Sequence, residues 1–142
     1  MTTAAAVQVL HEHGYRATPQ LLLVHDAVSQ LRHATPEQIL THIHRTSPAV
    51  NLSTVYRVLE VLEDVGLITH AHIGTGSATY HATDAPAHLH FRCGGCGRVQ
   101  SLPAEVAGPF VQDVHARIGF RADVTHAGID GRCRDCTTPE EQ

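Results

Sequence analysis

The sequence predicts an α+β protein with an N-terminal winged-helix unit and a smaller C-terminal unit of strands and one helix. Three observations predict this class. Helix patterns with suitable capping residues follow one another through the first half of the chain. A Gly-rich turn between two β-rich segments comes next, and strand-like segments dominate from residue 88 onwards. A helix-turn-helix followed by a hairpin is the winged-helix arrangement.

Four helix patterns occupy the first half of the chain. The first covers 4–13 and ends at Gly14, a residue that tolerates the left-handed conformation after a helix. Thr18 and Thr35 are suitable N-caps, and each precedes a proline at the first helical position. The fourth helix runs over about 53–65, and its apolar residues recur at three- and four-residue spacing. That spacing predicts one buried face.

The β-rich segments LITHAHI and ATYHAT flank the turn GTGS and predict the hairpin wing. The sequence DAPA at 84–87 is the best linker candidate. Beyond it we predict strands at HLHFRC, GRVQSL and RADVTHAGI, with a helix over about 104–118 between the last two. The predicted organisation is therefore a winged-helix domain over 1–83, a hinge over 84–87 and an α/β domain over 88–142.

The composition limits the possible classes of protein. Aromatic residues make up only 4% and Trp is absent, so two small cores would be thin and an additional cross-link is expected. No apolar run approaches the about 20 residues that cross a bilayer, and the N-terminus lacks the positive start of a signal peptide. We expect a cytoplasmic protein with no membrane partner. Lysine is absent and the net charge is −4, so any contact with nucleic acid must depend on local structure.

Two CxxC pairs, Cys93 with Cys96 and Cys133 with Cys136, are candidate metal ligands. Four thiolates on two tight turns suit a tetrahedral Zn²⁺ that is closed to water and therefore structural. Such a site supplies about 10–16 kcal/mol of apparent binding free energy, which would stabilise a thin-cored domain. Two alternatives stay open, a thioredoxin-like redox pair and simple buried thiols. Redox proteins of that kind have one CxxC at a βα turn, which favours the metal site.

The chain has 13 histidines, and some have the spacing of shared ligands. Strand alternation puts His88 and His90 on one face, and His70 and His72 have the same spacing on the hairpin. An ordinary half-exposed strand would show that spacing too, so both interpretations stay open. His126 lies in the predicted last strand. The other helical histidines are expected to be ordinary surface or core residues: His11, His13, His25, His42, His44 and His115.

Five motifs in this order resemble the ferric uptake regulator (Fur) superfamily of bacterial metal-sensing repressors: GYRATPQ, HATPEQIL, NLSTVYRVLEVLEDVGLI, HLHFRCGGCGRV and the final CxxC. The resemblance covers about residues 7–136. It implies a winged-helix DNA-binding domain, a hinge and an α/β dimerisation domain. The expected partners are a second copy of the chain and a palindromic operator in double-stranded DNA, which is bound when metal is loaded. We expect no enzymatic activity and no small organic substrate.

The resemblance implies a recognition helix at about 53–65. The residues expected to face DNA are Ser53, Thr54, Tyr56, Arg57 and, near the minor groove, Arg16. The ring of Tyr56 suits a thymine methyl group, and the guanidinium of Arg57 suits phosphate or guanine. The alternative is that Tyr56 packs against the protein and Arg57 is merely solvated.

The resemblance also implies two regulatory metal sites. The hinge site of the family matches His33, His81, His88 and His90. A further family site matches Ala87, Leu89 and Gly108, which cannot ligate a metal, so that site is expected to be lost. Its last member resembles His126, which could instead meet His70 and His72 as a candidate nickel site.

Both regulatory sites would then consist of imidazole, which suits Ni²⁺, Cu²⁺ and Zn²⁺ better than Mn²⁺ or Fe²⁺. This pattern resembles the nickel-responsive branch of the family, the nickel uptake regulators. We therefore expect Ni(II) as the regulatory metal and Zn(II) in the Cys site, with Zn(II) as an alternative in the hinge site. A zinc- or iron-responsive repressor is the alternative function. A zinc hydrolase lacks an HExxH motif here, and a metal store would not explain the recognition-helix motif.

Overall fold

The computed structural model describes residues 2–74 and 76–137, and these residues confirm the predicted α+β class. The helices are α1 (Thr3–Glu12), α2 (Pro19–Leu31), α3 (Pro36–Ile43), α4 (Leu52–Asp64), a 3-10 helix (Ala104–Ala107) and α5 (Gly108–Ile118). The strands are β1 (Ile68–Ala71), β2 (Thr79–Ala82), β3 (His88–Cys93), β4 (Val99–Pro103) and β5 (Gly128–Gly131).

The described residues divide into two compact units. The first unit contains the chain up to His70 together with Ser77–Ala85. The second unit contains Ala71–Gly76 and the chain from Pro86 onwards.

Side-chain caps determine where the helices of the first unit begin. The hydroxyl of Thr18 accepts a hydrogen bond from the backbone N–H of Leu21 at 3.3 Å. Thr35 and Gln38 form a reciprocal capping box at the start of α3. Each interaction satisfies a backbone donor that the first helical turn leaves without a partner. The predicted caps at Thr18 and Thr35 are therefore confirmed.

The first unit has a continuous apolar core. The predicted inward face of α4 is buried, with Val55, Leu59 and Leu62 at 0% exposure and Val58 at 8%. The other helices and the hairpin contribute the remaining core residues: Ala6, Leu10, Leu21, Val24, Ala27, Val28, Ala34, Ile39, Ile43, Val65, Leu67 and Ile68. Apolar side chains at helical spacing thus join all four helices and β1 around one interior.

The wing of the first unit is the pair β1–β2, and a third segment joins it. Ala34, in the connection between α2 and α3, forms an antiparallel bridge with Tyr80 of β2. Both backbone hydrogen bonds of that bridge are present, at 3.2 and 2.9 Å. The wing is therefore fixed directly to the helical part of the first unit.

The second unit contains a three-stranded sheet in the order β4-β3-β5. The central strand β3 pairs antiparallel with β4 and parallel with β5, so that His90 lies between Ser101 and Gly128. The hairpin residue His72 adds a parallel bridge to Ala127. All of β4 is exposed, and α5 has no buried residue.

The prediction of a strand over RADVTHAGI was wrong for most of its length, because β5 begins only at Gly128. The carboxylate of Asp123 accepts hydrogen bonds from the backbone N–H and the hydroxyl of Thr125, at 2.9 and 2.6 Å. This local turn competes with extended pairing. His126 therefore lies in a turn that precedes the last strand, where the sequence predicted a strand.

The single helix predicted over 104–118 is divided in the structure. A 3-10 turn precedes α5, and Pro109 stands in the first turn of α5. A proline ring collides with the carbonyl group four residues earlier, so one α-helix cannot continue through this position. None of the helices in the described ranges combines the length and the apolar character needed to span a bilayer.

Candidate metal centre and nucleic-acid interface

The four cysteines converge in the second unit. Their sulfur atoms all lie within 4.8 Å of one another, and all four are free of disulfide bonds. The Sγ atoms of Cys96 and Cys133 are 3.8 Å apart. A tetrahedral Zn²⁺ with Zn–S bonds of about 2.3 Å requires sulfur atoms about 3.8 Å apart. The arrangement therefore fits a tetrahedral metal and does not fit a pair of disulfides.

Backbone N–H groups stabilise a negatively charged thiolate in this cluster. The Sγ of Cys93 accepts hydrogen bonds from the N–H groups of Cys133 and Gly95, each at 3.3 Å. Hydrogen bonds from the N–H groups of Cys133 and Cys96 lower the pKa of the Cys93 thiol to about 5. The neighbouring sulfur atoms, Cys133 first, raise the pKa of Cys136. Four thiolates at this distance repel one another, so their joint ionisation requires a cation.

The first CxxC turn needs its glycine for steric reasons. A Cβ atom added at Gly95 would lie 3.0 Å from the Sγ of Cys136 and 3.1 Å from its Cβ. Any side chain at this position would displace one of the four sulfur atoms. The predicted cysteine site is thus sterically adapted to hold its sulfur atoms in place.

Two of the predicted hinge ligands, His33 and His81, lie side by side in the first unit. Their ring centroids are 5.1 Å apart in an edge-on arrangement, and His81 is buried. The bridge between Ala34 and Tyr80 explains the pairing, because antiparallel register places the residue before Ala34 opposite the residue after Tyr80. The long-range bridge therefore creates a histidine pair that local sequence does not reveal.

The other two predicted hinge ligands, His88 and His90, lie side by side on β3 in the second unit. The alternation of a strand puts both residues on one face, and their ring centroids are 4.6 Å apart. The Nδ1 of His88 is 2.8 Å from the carbonyl oxygen of Pro86. A carbonyl only accepts, so Nδ1 carries the proton and Nε2 carries the lone pair of the ring. His90 is fully buried at 0% exposure.

The three residues of the candidate nickel site have different surroundings. His70, in the first unit, makes a close contact through Nδ1 with the carboxylate of Glu63 on α4. His72 and His126, in the second unit, are joined by a backbone hydrogen bond of 2.9 Å. The Nε2 of His126 is 3.4 Å from the carboxylate of Asp123. Neither carboxylate was predicted from the sequence, although the segment EDVGLITH places acidic residues shortly before the strand that carries His70.

Three of the four residues predicted to face DNA from α4 lie on its exposed side, and the prediction for Thr54 was wrong because this side chain is buried. Ser53 and Arg57 are exposed, and Tyr56 is 41% exposed with its hydroxyl 3.5 Å from Glu37. Thr54 is buried, and its hydroxyl donates to the side chain of Asn51 at 3.0 Å. The exposed members of the predicted set on α4 are therefore a hydroxyl, a phenol and a guanidinium.

Arg16, the remaining residue of the predicted DNA-contacting set, is exposed in the connection between α1 and α2. Arg57 also contacts the hydroxyl of Thr54 at 3.4 Å, which restrains its guanidinium close to the start of α4. Arginine held in this way retains donors for phosphate or base edges.

Comparisons with known proteins agree with this architecture. A family model described as the Ferric uptake regulator family matches residues 12–124. The chain is similar to the ferric uptake regulation protein of Bordetella parapertussis, with 34% identity over 133 residues that cover 89% of this chain and 93% of the relative.

Two solved structures share the fold. The ferric uptake regulator of Helicobacter pylori, described as having three functional metal-binding sites, matches with a TM-score of 0.77 and 19% identity, covering 99% of this chain and 97% of that one. A zinc uptake regulator complexed with zinc and DNA matches with a TM-score of 0.64 and 24% identity, covering 94% and 91%.

Proposed function

We propose that this chain, which belongs to the ferric uptake regulator family, is a Ni(II)-dependent repressor controlling nickel uptake and homeostasis genes. Members of the family are transcription regulators that bind DNA as dimers, and they are not enzymes. The proposed DNA target is a palindromic operator, because a symmetric dimer presents two identical half-site readers. We propose that the repressor acts in the cytoplasm, where its operator DNA would be located.

The observation that carries the choice of metal is the donor chemistry of the paired histidines. His33 with His81, and His88 with His90, offer imidazole nitrogens at short separation within their own units. We propose that the two pairs bind one ion at the hinge, which we assign to 84–87 between domains over 1–83 and 88–142. Imidazole favours Ni²⁺, Cu²⁺ and Zn²⁺ over Mn²⁺ and Fe²⁺.

The proposed nickel-selective site consists of His70, His72 and His126. Three imidazoles leave coordination positions that Ni²⁺ fills readily with water or further donors, whereas Zn²⁺ is satisfied with four ligands. The carboxylates of Glu63 and Asp123 next to two of these histidines provide hydrogen-bond acceptors of the kind that orient metal ligands. Zn(II) is the alternative occupant of the hinge site, and a zinc- or iron-responsive repressor is the alternative function.

For the cysteine cluster we propose a structural Zn(II). All four donors are thiolates, and Cys93 and Cys133 are buried, so no coordination position is left for a substrate. The Helicobacter pylori relative, described as having three functional metal-binding sites, offers a precedent for several metal sites in one chain.

In the proposed mechanism, the regulatory metal supplies coordinate bonds that hold imidazoles from both units together. The hinge residues then lose freedom, and the spacing between the two α4 helices of the dimer becomes fixed. A ligand must favour the DNA-competent state by about 5.5 kcal/mol to raise its population from about 1% to 99%. Arg57 and Tyr56 on α4 would then contact phosphate and base edges, as the exposed guanidinium and phenol permit.

The proposal is tested by fluorescence anisotropy on labelled duplexes that are selected from a random library in the presence of Ni(II). Ni²⁺, Zn²⁺, Fe²⁺, Co²⁺ and Cu²⁺ are titrated at buffered free concentrations against wild type and His70→Ala/His72→Ala. We expect Ni²⁺ to activate DNA binding, and we expect the double variant to lose this response. Activation by zinc alone, at a lower free concentration, would replace nickel with the zinc alternative.

Arg57→Ala separates a repressor from a metal store, because it changes the proposed DNA contact and no proposed metal ligand. We expect at least a tenfold loss of DNA affinity, equivalent to one lost base or phosphate contact, with unchanged metal content. Arg121→Ala is the matched control, since Arg121 is exposed and lies outside α4. Unchanged DNA affinity in Arg57→Ala would refute the proposed recognition helix.

A further inference from the structure

We infer that Glu63 is a positioning residue for the proposed nickel site, where its carboxylate orients the ring of His70 and couples that ligand to the recognition helix α4. The inference rests on the proposed function, because it requires His70 to be a metal ligand. Glu63 is the penultimate residue of α4, and His70 belongs to β1, so the contact joins two elements of the first unit.

The contact defines the protonation of the His70 ring. A carboxylate has no proton to donate, so the Nδ1 of His70 must donate to the Oε1 of Glu63. The lone pair of the imidazole is then on Nε2, on the opposite side of the ring. Without Glu63, the neutral ring would divide between two tautomers, and only one of them offers Nε2 to a metal.

The surroundings of the pair favour a fixed geometry. The side chains of His70 and Glu63 are 35% and 34% exposed, so neither moves as freely as a fully exposed chain. The ring of Tyr80 lies 6.0 Å from the ring of His70 on the neighbouring strand. A carboxylate that accepts from a ligating imidazole fixes the ring orientation and makes the imidazole a stronger donor.

The same carboxylate lies on the side of α4 that carries a proposed DNA contact. Tyr56, Glu60 and Glu63 follow each other at four- and three-residue spacing, which aligns them along one side of the helix. A metal bound by His70 would be linked to α4 through two contacts, the coordinate bond to His70 and the hydrogen bond from His70 to Glu63. Metal binding would then restrain the recognition helix through Glu63 within the first unit, in addition to its effect at the hinge.

The first test measures tautomers in the full-length protein before nickel is added, with the cysteine site loaded with zinc. Nitrogen-15 NMR of His70 is expected to show the Nδ1–H form in wild type and a mixture of both forms in Glu63→Ala. The resonance is assigned by its absence in His70→Ala. A wild-type ring protonated on Nε2 overturns the inference.

The second test measures Ni(II) affinity against a competing chelator. We expect Glu63→Ala to weaken the affinity about 10–100-fold, within the range found when an outer carboxylate is removed from a ligating histidine. Glu63→Gln keeps an acceptor oxygen, so it is expected to lose less than Glu63→Ala. Glu60→Gln is the matched control, because it removes the same charge from the same side of α4 and is expected to leave the affinity unchanged.

A double-variant cycle separates positioning from a merely structural effect. If Glu63 acts through His70, adding Glu63→Ala to His70→Ala produces no further loss of nickel affinity. An equal loss in both backgrounds overturns the inference. If His70→Ala alone leaves nickel affinity unchanged, the proposed nickel site itself is wrong, and this outcome is distinct from a failure confined to Glu63.

Discussion

The two units of this chain are stabilised by different means. The first unit encloses a continuous apolar core that includes all four of its helices. In the second unit, the buried side chains of β3 and of the second CxxC turn are Leu89, His90, Cys93 and Cys133 among the described residues. Phe91, Val111 and Val114 are half-buried. Many of the other large apolar side chains of this unit are exposed: Val99, Leu102, Val106, Phe110, Ile118, Phe120 and Ile129.

Because the second unit buries few apolar side chains, we expect its stability to depend on more than its own packing. A metal at the four sulfur atoms would supply the missing cohesion, because binding free energy at such a site contributes directly to folding. The exposed apolar side chains would be covered in the proposed homodimer, where burial of apolar area drives association. We expect the first unit to retain its helices without either contribution, because its apolar core is continuous.

The largest expected effect comes from removing the metal site with Cys96→Ser. Up to about 10–16 kcal/mol of metal-binding free energy would be lost, and we expect the second unit to unfold while the first unit stays folded. Hydrogen exchange should show lost protection in β3 and β5 and retained protection in α2 and α4. Ser101→Ala, at an exposed position of β4, is the control. Equal loss of protection in both units would show that their stabilities are not separable.

Truncation of the first core should be the next largest effect. Leu59 and Leu102 have the same side chain but differ in exposure, which is 0% for Leu59 and 45% for Leu102. We expect Leu59→Ala to lower the free energy of unfolding of the first unit by about 2–5 kcal/mol. Leu102→Ala should change it by less than about 0.5 kcal/mol.

Tyrosine fluorescence measures this unit selectively. The three tyrosines, Tyr15, Tyr56 and Tyr80, all belong to the first unit, and the chain has no Trp. A denaturant titration followed at the tyrosine emission therefore reports the unfolding of the first unit alone. Leu102 belongs to the second unit, so Leu102→Ala is the control that should leave this midpoint unchanged. An unchanged midpoint in Leu59→Ala would show that the buried core of the first unit does not stabilise it.

The exposed apolar surface of the second unit should matter for self-association. Phe110 on α5 is 60% exposed, and burying a phenylalanine side chain contributes about 1.5–3 kcal/mol. Phe110→Ala is expected to raise the dimer dissociation constant by about 10–100-fold in sedimentation velocity experiments. Gln112→Ala, an exposed position on the same helix, should leave it unchanged. A dissociation constant insensitive to Phe110 would place the dimer contact elsewhere.

The smallest expected effect concerns His25, which is 2% exposed inside the first unit. Burial lowers the pKa of His25, and the charge of Asp26 opposes the shift only in part. The folded state keeps this ring neutral while the unfolded chain protonates it near pH 6.5. The first unit should therefore lose stability as the pH falls below about 6.5, with a slope of at most about 1.4 kcal/mol per pH unit from this residue.

The variant His25→Leu has no ring to protonate in the unfolded chain, so it should flatten the dependence of first-unit stability on pH between 7 and 5. Tyrosine-detected unfolding of zinc-loaded protein at several pH values measures it. His11→Gln, at an exposed position of α1, is the control and should keep the wild-type slope. Identical slopes in wild type and His25→Leu would show that the burial of His25 has no consequence for acid stability.

Local periodicity explains which parts of the fold were predictable. The caps at Thr18 and Thr35 and the buried face of α4 follow from spacings of three and four residues, and the structure confirms them. The late start of β5 was not predictable in this way. It depends on the turn between Asp123 and Thr125, which overrides an alternating pattern that resembled a strand.

Long-range placement limited what could be predicted about the sites. Two CxxC pairs identified the cysteine cluster without the structure, because each pair is local and four thiolates together favour one metal. The pairing of His33 with His81 depends on the bridge between Ala34 and Tyr80, which has no local signature.

The four helices of the first unit, the apolar face of α4 and the cysteine cluster were predictable from the sequence alone, because each depends on neighbours within about one helical turn or one CxxC turn. The surroundings of the histidines depend on the fold and were not predictable. Glu63 meets His70 across the short connection at 65–67 between α4 and β1. Asp123 meets His126 because a turn replaces a strand. The residue type fixes which donor atom a ligand offers to a metal, whereas the fold fixes the direction in which that atom points.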